Sequence, residues 1–378
     1  MSTPRVIDAD GHTYERPDWL IKYIDPKFRG RIGVDANGKA MTIDGREYWK
    51  QPPNTFEAIG FTPEVVTKRF GDVAREAFSA PAVVRALDVE RIDVSVIYGP
   101  LYECWIEGMD PALAAAIARA YSRYLVDYCG VSGGRIVGAA PIPLFDVKTA
   151  LEELRYAHDE LGLRAVWTRP NPIGGRNLGD PYFEPFYDAV ESLGLPLSLH
   201  EGSGSLMKNV GSERFGDTWF EQHACVHPME QQLAMLSLIV RGVLERHPRL
   251  RVAFLESGAS WAPAWLHRLD EHQELVGWKD APGLTMKPSE YFQRQCFISC
   301  EPDEDLLFQV VEVLGDRNVV FSTDFPHPDS KYPNAVNRFM RIPKVDDATK
   351  RKILWDNALA FYGFDAAAMP HSGAAAAA

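Results

Sequence analysis

The chain has 378 residues, 46% of them apolar and 24% charged, which is enough to bury a large core and fits a soluble globular protein. Its formal net charge of -12 argues against nucleic acid as a partner, since a phosphate backbone needs a basic face. No run of about 18 apolar residues occurs, so no membrane-spanning helix is expected.

Five cysteines, Cys104, Cys129, Cys225, Cys296 and Cys300, form no Cys-x-x-Cys pair. Free thiols in a reducing cytoplasm are the expectation. Met1 to Arg5 lead straight into the first strand, so no signal peptide is expected.

That first strand is Val-Ile-Asp-Ala-Asp-Gly-His, residues 6–12. Alternate residues of a strand share a face, so Asp8, Asp10 and His12 are expected to project together. A carboxylate beside an imidazole at a strand end suits a divalent ion such as Zn²⁺ or Mn²⁺. The same cluster could instead cap a loop.

A polar segment rich in Pro and Gly follows, from about residue 17 to 81. Asp35-Ala-Asn-Gly-Lys39 predicts a hairpin turn, because Asn-Gly accepts the positive φ such turns need. Met41-Thr-Ile and Tyr48-Trp49 are candidates for the returning strand. The segment reads as an insertion over one end of the domain. Arg46, Trp49, Phe56 and Phe61 would either line a pocket there or pack the small subdomain.

From residue 81 the chain is regular. Apolar periodicity predicts helices over 82–90, 111–128, 147–161, 181–193, 228–246, 261–275 and 304–314. Continuous apolar runs predict strands over 93–99, 135–141, 163–168, 195–200, 250–256, 296–300 and 318–324. With the first strand these make eight, separated almost throughout by helices. That alternation implies a parallel sheet buried on both faces, and eight units imply a (β/α)₈ TIM barrel with a long insertion after strand one. A single domain is expected over 1–365, with a low-complexity tail over 366–378. An open doubly wound sheet is the alternative, but no Gly-x-Gly-x-x-Gly loop follows strand one or two.

Ligand-type side chains close several strands: Asp10 and His12 on the first, Arg169 after the fourth, His200-Glu201 on the fifth, Glu256 on the sixth and Asp324 on the eighth. The carboxyl ends of barrel strands converge on one face, where catalytic sites sit. Asp10, His12, His200 and Asp324 are therefore the expected metal ligands.

These residues carry a resemblance. The order Asp-x-His, then His, then Asp resembles the amidohydrolase superfamily. More narrowly, the chain looks like the amidohydrolase-related group that includes aminocarboxymuconate semialdehyde decarboxylase and resorcylate decarboxylase. The supporting stretches are Ile7-Asp-Ala-Asp-Gly-His12, residues 242–252, residues 315–328 and Ile353-Leu-Trp-Asp-Asn-Ala358. The resemblance implies that the strand-one pair, often His-x-His, falls on Asp10 and His12, the strand-five ligand on His200 and the strand-eight ligand on Asp324. Decarboxylase members use a strand-six His where this chain has Glu256. No Lys ends strand four, where two-metal members carry a bridging one, so the resemblance implies one divalent ion, zinc first and manganese next.

His227, in Cys225-Val-His-Pro-Met-Glu-Gln-Gln, is expected in a loop just before a helix that starts at Pro228. It either packs there or serves as general acid or base near neutral pH. His327 is expected to orient a ligand, and Glu201 to be structural. The catalytic set is then Asp324, His227 and Glu256, with Arg46, Trp49 and Arg169 as substrate contacts.

The first expected function is a metal-dependent hydrolase that acts on a small cyclic or aromatic substrate through a metal-activated water. The alternative is a nonoxidative decarboxylase of an aromatic or enoic acid. A barrel that binds metal without turnover is a third reading. The preference for hydrolysis rests on Glu256, which if ionised would repel a substrate carboxylate. A homodimer in the cytoplasm is expected by analogy with related barrels.

Overall fold

The computed structural model describes residues 4–15, 19–34, 41–47, 60–100, 104–201, 210–211, 214–215 and 218–372. Eight strands, buried almost throughout, alternate with helices: Ile7–His12, Val94–Tyr98, Ile136–Pro141, Ala165–Thr168, Pro196–His200, Arg251–Leu255, Cys296–Cys300 and Val319–Phe321. Each pairs in parallel with the next in chain order. The eighth strand meets the first through two backbone bonds, His12 N to Phe325 O at 2.7 Å and Asp324 N to Asp10 O at 3.0 Å. The fold is the expected (β/α)₈ TIM barrel. Near-continuous Val, Ile, Leu and Ala in the strands are what two covered faces require.

The first strand departs from simple alternation. Its pairing with Val94–Tyr98 shifts between Asp8 and Gly11. Gly11 is needed there, because a Cβ would lie 2.5 Å from Ser95 Oγ. Asp8 consequently does not join Asp10 and His12. It accepts from Ser95 Oγ at 2.9 Å, Thr323 N at 2.9 Å and Thr323 Oγ1 at 2.7 Å, and so ties the first strand to its two neighbours. Replacing Asp8 by Ala strands three buried donors. Each costs about 1–3 kcal/mol, so a loss of roughly 3 kcal/mol or more is expected in the denaturant midpoint. A change under about 1 kcal/mol would show that the tie is dispensable.

The insertion after strand one contains a small antiparallel sheet, Ile32–Val34 with Met41–Ile43 and Met41–Ile43 with Arg46–Glu47. The expected hairpin is thus present, although its turn over 35–40 lies outside the described residues, as do Tyr48, Trp49 and Phe56. Helix Pro63–Phe70 closes the insertion. Its Arg69 donates to the carbonyls of Pro328 and Ser330, fastening the insertion to the loop after the eighth strand.

One further expectation needs correction. The helix predicted from Pro228 starts nine residues earlier and spans Trp219–Val240, with Pro228 inside it. Thr218 caps it by accepting from Glu221 N at 3.4 Å, so the polar cap, not the proline, sets the start. The start of the expected low-complexity tail packs on the barrel. Arg5 reaches the carbonyls of Met369 and Pro370, and Ser372 N donates to Asp93 Oδ1 at 2.6 Å. The Ala run beyond lies outside the described residues.

Candidate metal centre

Asp10 and His12 end the first strand, His200 the fifth, Glu256 follows the sixth, and Asp324 and His327 follow the eighth. Their ligand atoms fall into two overlapping groups that share His12. One is Asp10, His12 and His200; the other is His12, Glu256, Asp324 and His327. His12 Nε2 lies 3.0 Å from Asp324 Oδ1 and 3.6 Å from Asp10 Oδ1. His200 Nε2 lies 3.0 Å from Asp10 Oδ1, and His200 Nδ1 lies 3.3 Å from Glu256 Oε2. His327 Nδ1 lies 2.7 Å from Asp324 Oδ1 and 3.6 Å from Glu256 Oε1.

The local backbone aims these groups. Glu256 and Asp324 have φ of 52° and 54°, left-handed values that cost a non-glycine residue about 1–3 kcal/mol. Such strain persists where surrounding bonds over-determine it, and here it turns both carboxylates off their strands towards the cluster. Below them, Tyr98 stacks on His200 with centroids 5.0 Å apart and planes at 17°. The Tyr98 hydroxyl lies 2.9 Å from Ser198 Oγ and 2.7 Å from the Tyr362 hydroxyl, which donates to Ala9 O at 2.8 Å. Trp167 meets the same imidazole edge-on at 5.6 Å.

Burial forces the electrostatic issue. It pushes the Asp10 carboxyl up to about 7, and it depresses the His200 imidazole well below its usual value. Burial together with the charges of Asp324 and Asp10 raises Glu256 well above the carboxylate range. At Asp324, burial is outweighed by His327 and His12, which hold it well below the usual value.

The donor set fits a divalent cation. His12 Nδ1 faces Tyr98 O at 3.2 Å, so its N–H is engaged and the Nε2 lone pair points into the cluster. Asp10 Oδ2 is buried without a hydrogen-bond partner, and the buried His12 Nε2, His200 Nδ1 and Asp324 Oδ1 face other members of the cluster. Lone pairs facing carboxylates across about 3 Å need a positive charge between them.

A cavity of about 180 Å³ opens beside the cluster, lined by His223, His227, Glu256, Glu301, Asp324 and Lys331 among others. His227 lies within the helix Trp219–Val240 and not in a loop, with Nδ1 3.9 Å from Glu256 Oε2. His223, one turn earlier, stacks on Trp219 at 4.0 Å and lies 4.6 Å from His227 between ring centroids. The sequence reading missed His223. The His-x-x-x-His spacing was its signal, and placing the helix start at Pro228 hid it.

Arg169 has no accessible surface and pairs with Glu201; Arg169 is not among the described residues that line the cavity. Arg46 begins a short strand whose side chains are not described, and Trp49 lies outside the described residues.

Residues 107–364 match the family model described as Amidohydrolase. The chain belongs to the amidohydrolase family. This amidohydrolase-family chain is 26% identical over 306 residues to the 2-amino-3-carboxymuconate-6-semialdehyde decarboxylase of Dictyostelium discoideum, covering 79% of this chain and 80% of that protein. It is 27% identical over 267 residues to a gamma-resorcylate decarboxylase of Rhodococcus jostii, covering 67% and 78%. Among solved structures, an amidohydrolase of Mycobacterium avium subsp. paratuberculosis superposes with a TM-score of 0.79 at 24% identity, over 97% of this chain and 100% of that one. A dihydroxybenzoic acid decarboxylase of Polaromonas sp. JS666, solved with manganese and 2-nitroresorcinol, gives 0.64 at 17% identity over 96% and 97%. The structural likenesses bear on the fold. The family makes the chain an enzyme, and no helix among its described residues is long and apolar enough to cross a membrane.

Proposed function

We propose that this enzyme is a metal-dependent, nonoxidative decarboxylase of a small aromatic or enoic acid. The relatives that it matches over about four-fifths of their length are decarboxylases, which supports decarboxylation ahead of the hydrolysis expected first. The geometric observation that carries the proposal is the place of His227. It lines the cavity beside Glu256, it is buried, and both its ring nitrogens lack a hydrogen-bond partner. An imidazole delivered from the helix Trp219–Val240 supplies what the sixth strand lacks. Burial and the charges of Asp324 and Asp10 raise Glu256 well above the carboxylate range, so it does not present the ionised charge that would bar a substrate carboxylate.

Asp10, His12, His200 and Asp324 would hold one divalent ion, zinc or manganese, whose charge would anchor the substrate's carboxylate or a neighbouring hydroxyl. Decarboxylation breaks the bond between the carboxylate and its carbon. The electron pair stays on that carbon, which takes a proton from His227 or Glu256, and carbon dioxide leaves. Lys331, in the cavity wall, and Arg46 and Trp49, from the insertion, would hold the rest of the acid. A homodimer is proposed by analogy with related barrels, and light scattering of the purified protein tests it.

Incubation of metal-loaded enzyme with hydroxybenzoates, amino-substituted enoic acids, lactones and cyclic amides tests the reaction class. Carbon dioxide release without uptake of labelled oxygen from water is expected. Labelled oxygen in a ring-opened product would instead establish the hydrolase. Lys331→Met and Trp49→Ala should each raise KM by roughly tenfold, as for the loss of about 1.4 kcal/mol of binding. Loss of thermal stability with unchanged kinetics would mark either as packing.

A further inference from the structure

The helix Trp219–Val240 brings His227 to the cavity, and one turn further on it carries Gln231, which is fully buried. Positions four apart on a helix share a face. The Gln231 Nε2 donates to Leu199 O at 2.8 Å and to Leu255 O at 2.9 Å. Leu199 immediately precedes His200, and Leu255 immediately precedes Glu256. The two strands are in register here, with His200 opposite Leu255. An uncharged amide nitrogen with two N–H groups is what allows one side-chain atom to hold both carbonyls.

One side chain therefore joins the three elements that bear His200, Glu256 and His227. The spacings it governs are those of the site: 3.3 Å from His200 Nδ1 to Glu256 Oε2, and 3.9 Å from His227 Nδ1 to the same oxygen. We propose that Gln231 is a positioning residue, which locks the two strand ends to the helix and so sets both the metal affinity of the His200 side and the approach of His227 to Glu256. This rests on the reading of the cluster as a metal centre.

A clamp of this kind also stabilises a barrel wherever it occurs, and the fold contains a matched case. Gln295 is buried and its Nε2 donates to His247 O at 2.7 Å and to Leu250 O at 2.9 Å. Both carbonyls precede the strand Arg251–Leu255, at the amino end of the barrel and away from the site. Loss of either amide costs similar bonding, but only the Gln231 clamp adjoins ligand-bearing residues.

Cobalt(II) titration of the metal-free wild type, Gln231→Met and Gln295→Met separates the two roles. Cobalt stands in for the native ion, and its visible absorption reports the ligand field. The wild type should bind one equivalent. Gln295→Met should match it in affinity and spectrum. Gln231→Met should bind about tenfold to a hundredfold more weakly, as for residues that orient metal ligands, with a shifted band. A Gln231→Met protein that titrates like Gln295→Met would overturn the proposal. If Gln231→Met does not fold, Gln231→Glu keeps the shape and is read the same way. Failure of both to fold while Gln295→Met folds would also overturn it, since the residue would then be structural. A wild type that takes up no cobalt would defeat the metal reading instead.

Discussion

His200→Ala protein is expected to lose its divalent metal, with affinity reduced roughly a hundredfold or more, beyond the 10–100-fold seen when only an orienting partner is removed. His200 is the strand-five member of the cluster, with no accessible surface and with carboxylates facing both ring nitrogens, Asp10 at 3.0 Å and Glu256 at 3.3 Å. Removing the ring takes away a ligand and leaves those carboxylates facing each other across a buried gap. Without a metal, the pair must take up a proton to coexist. Metal content after dialysis, measured by mass spectrometry against the wild type, checks the result. Stoichiometric, undiminished metal in His200→Ala would remove His200 from the ligand set.

Glu256→Gln and His227→Asn form the second large expected effect. Each should retain metal and lose turnover by about 10²–10⁴-fold, the usual worth of a general acid or base. Gln keeps the shape of Glu256 but carries no transferable proton. Asn removes a buried imidazole that faces the cavity with both nitrogens unpartnered. The two groups lie 3.9 Å apart and act on the same carbon in the proposed reaction. Their effects should therefore combine to much less than the product of the single losses. Single-turnover rates of the two variants and the double variant, with metal content measured alongside, test this. Near-normal turnover in either single variant would make that residue structural.

Much of this was legible in the sequence because the fold is periodic. Eight apolar runs between amphipathic segments indicated the barrel, and the polar residues that ended those runs marked the face where the site lies. Asp10, His12, His200 and Asp324 do converge with Glu256 and His327. What periodicity could not show was the local backbone. The register shift at Asp8–Gly11 turned one expected ligand-side residue into a strand tie. The left-handed turns at Glu256 and Asp324 are not legible in residue type, since positive φ is uncommon for any non-glycine residue, even for the more tolerant Asp. Pro228 misplaced a helix start, because tertiary contacts and the Thr218 cap outweigh the cost of an interior proline. With the start went the histidine pair on that helix. The matched relatives are decarboxylases, which favours the alternative reaction over the expected one. Glu256 was weighed as an ionised charge, whereas burial and the charges of Asp324 and Asp10 raise it well above the carboxylate range.

Turnover in D₂O is the most direct test of the decarboxylase reading. The acid that the enzyme consumes in the panel is converted with metal-loaded protein, and the product is examined by NMR and mass spectrometry. The account predicts one deuterium at the carbon that carried the carboxylate, with carbon dioxide released in equal amount. A product that keeps its carboxylate and gains the elements of water would contradict it.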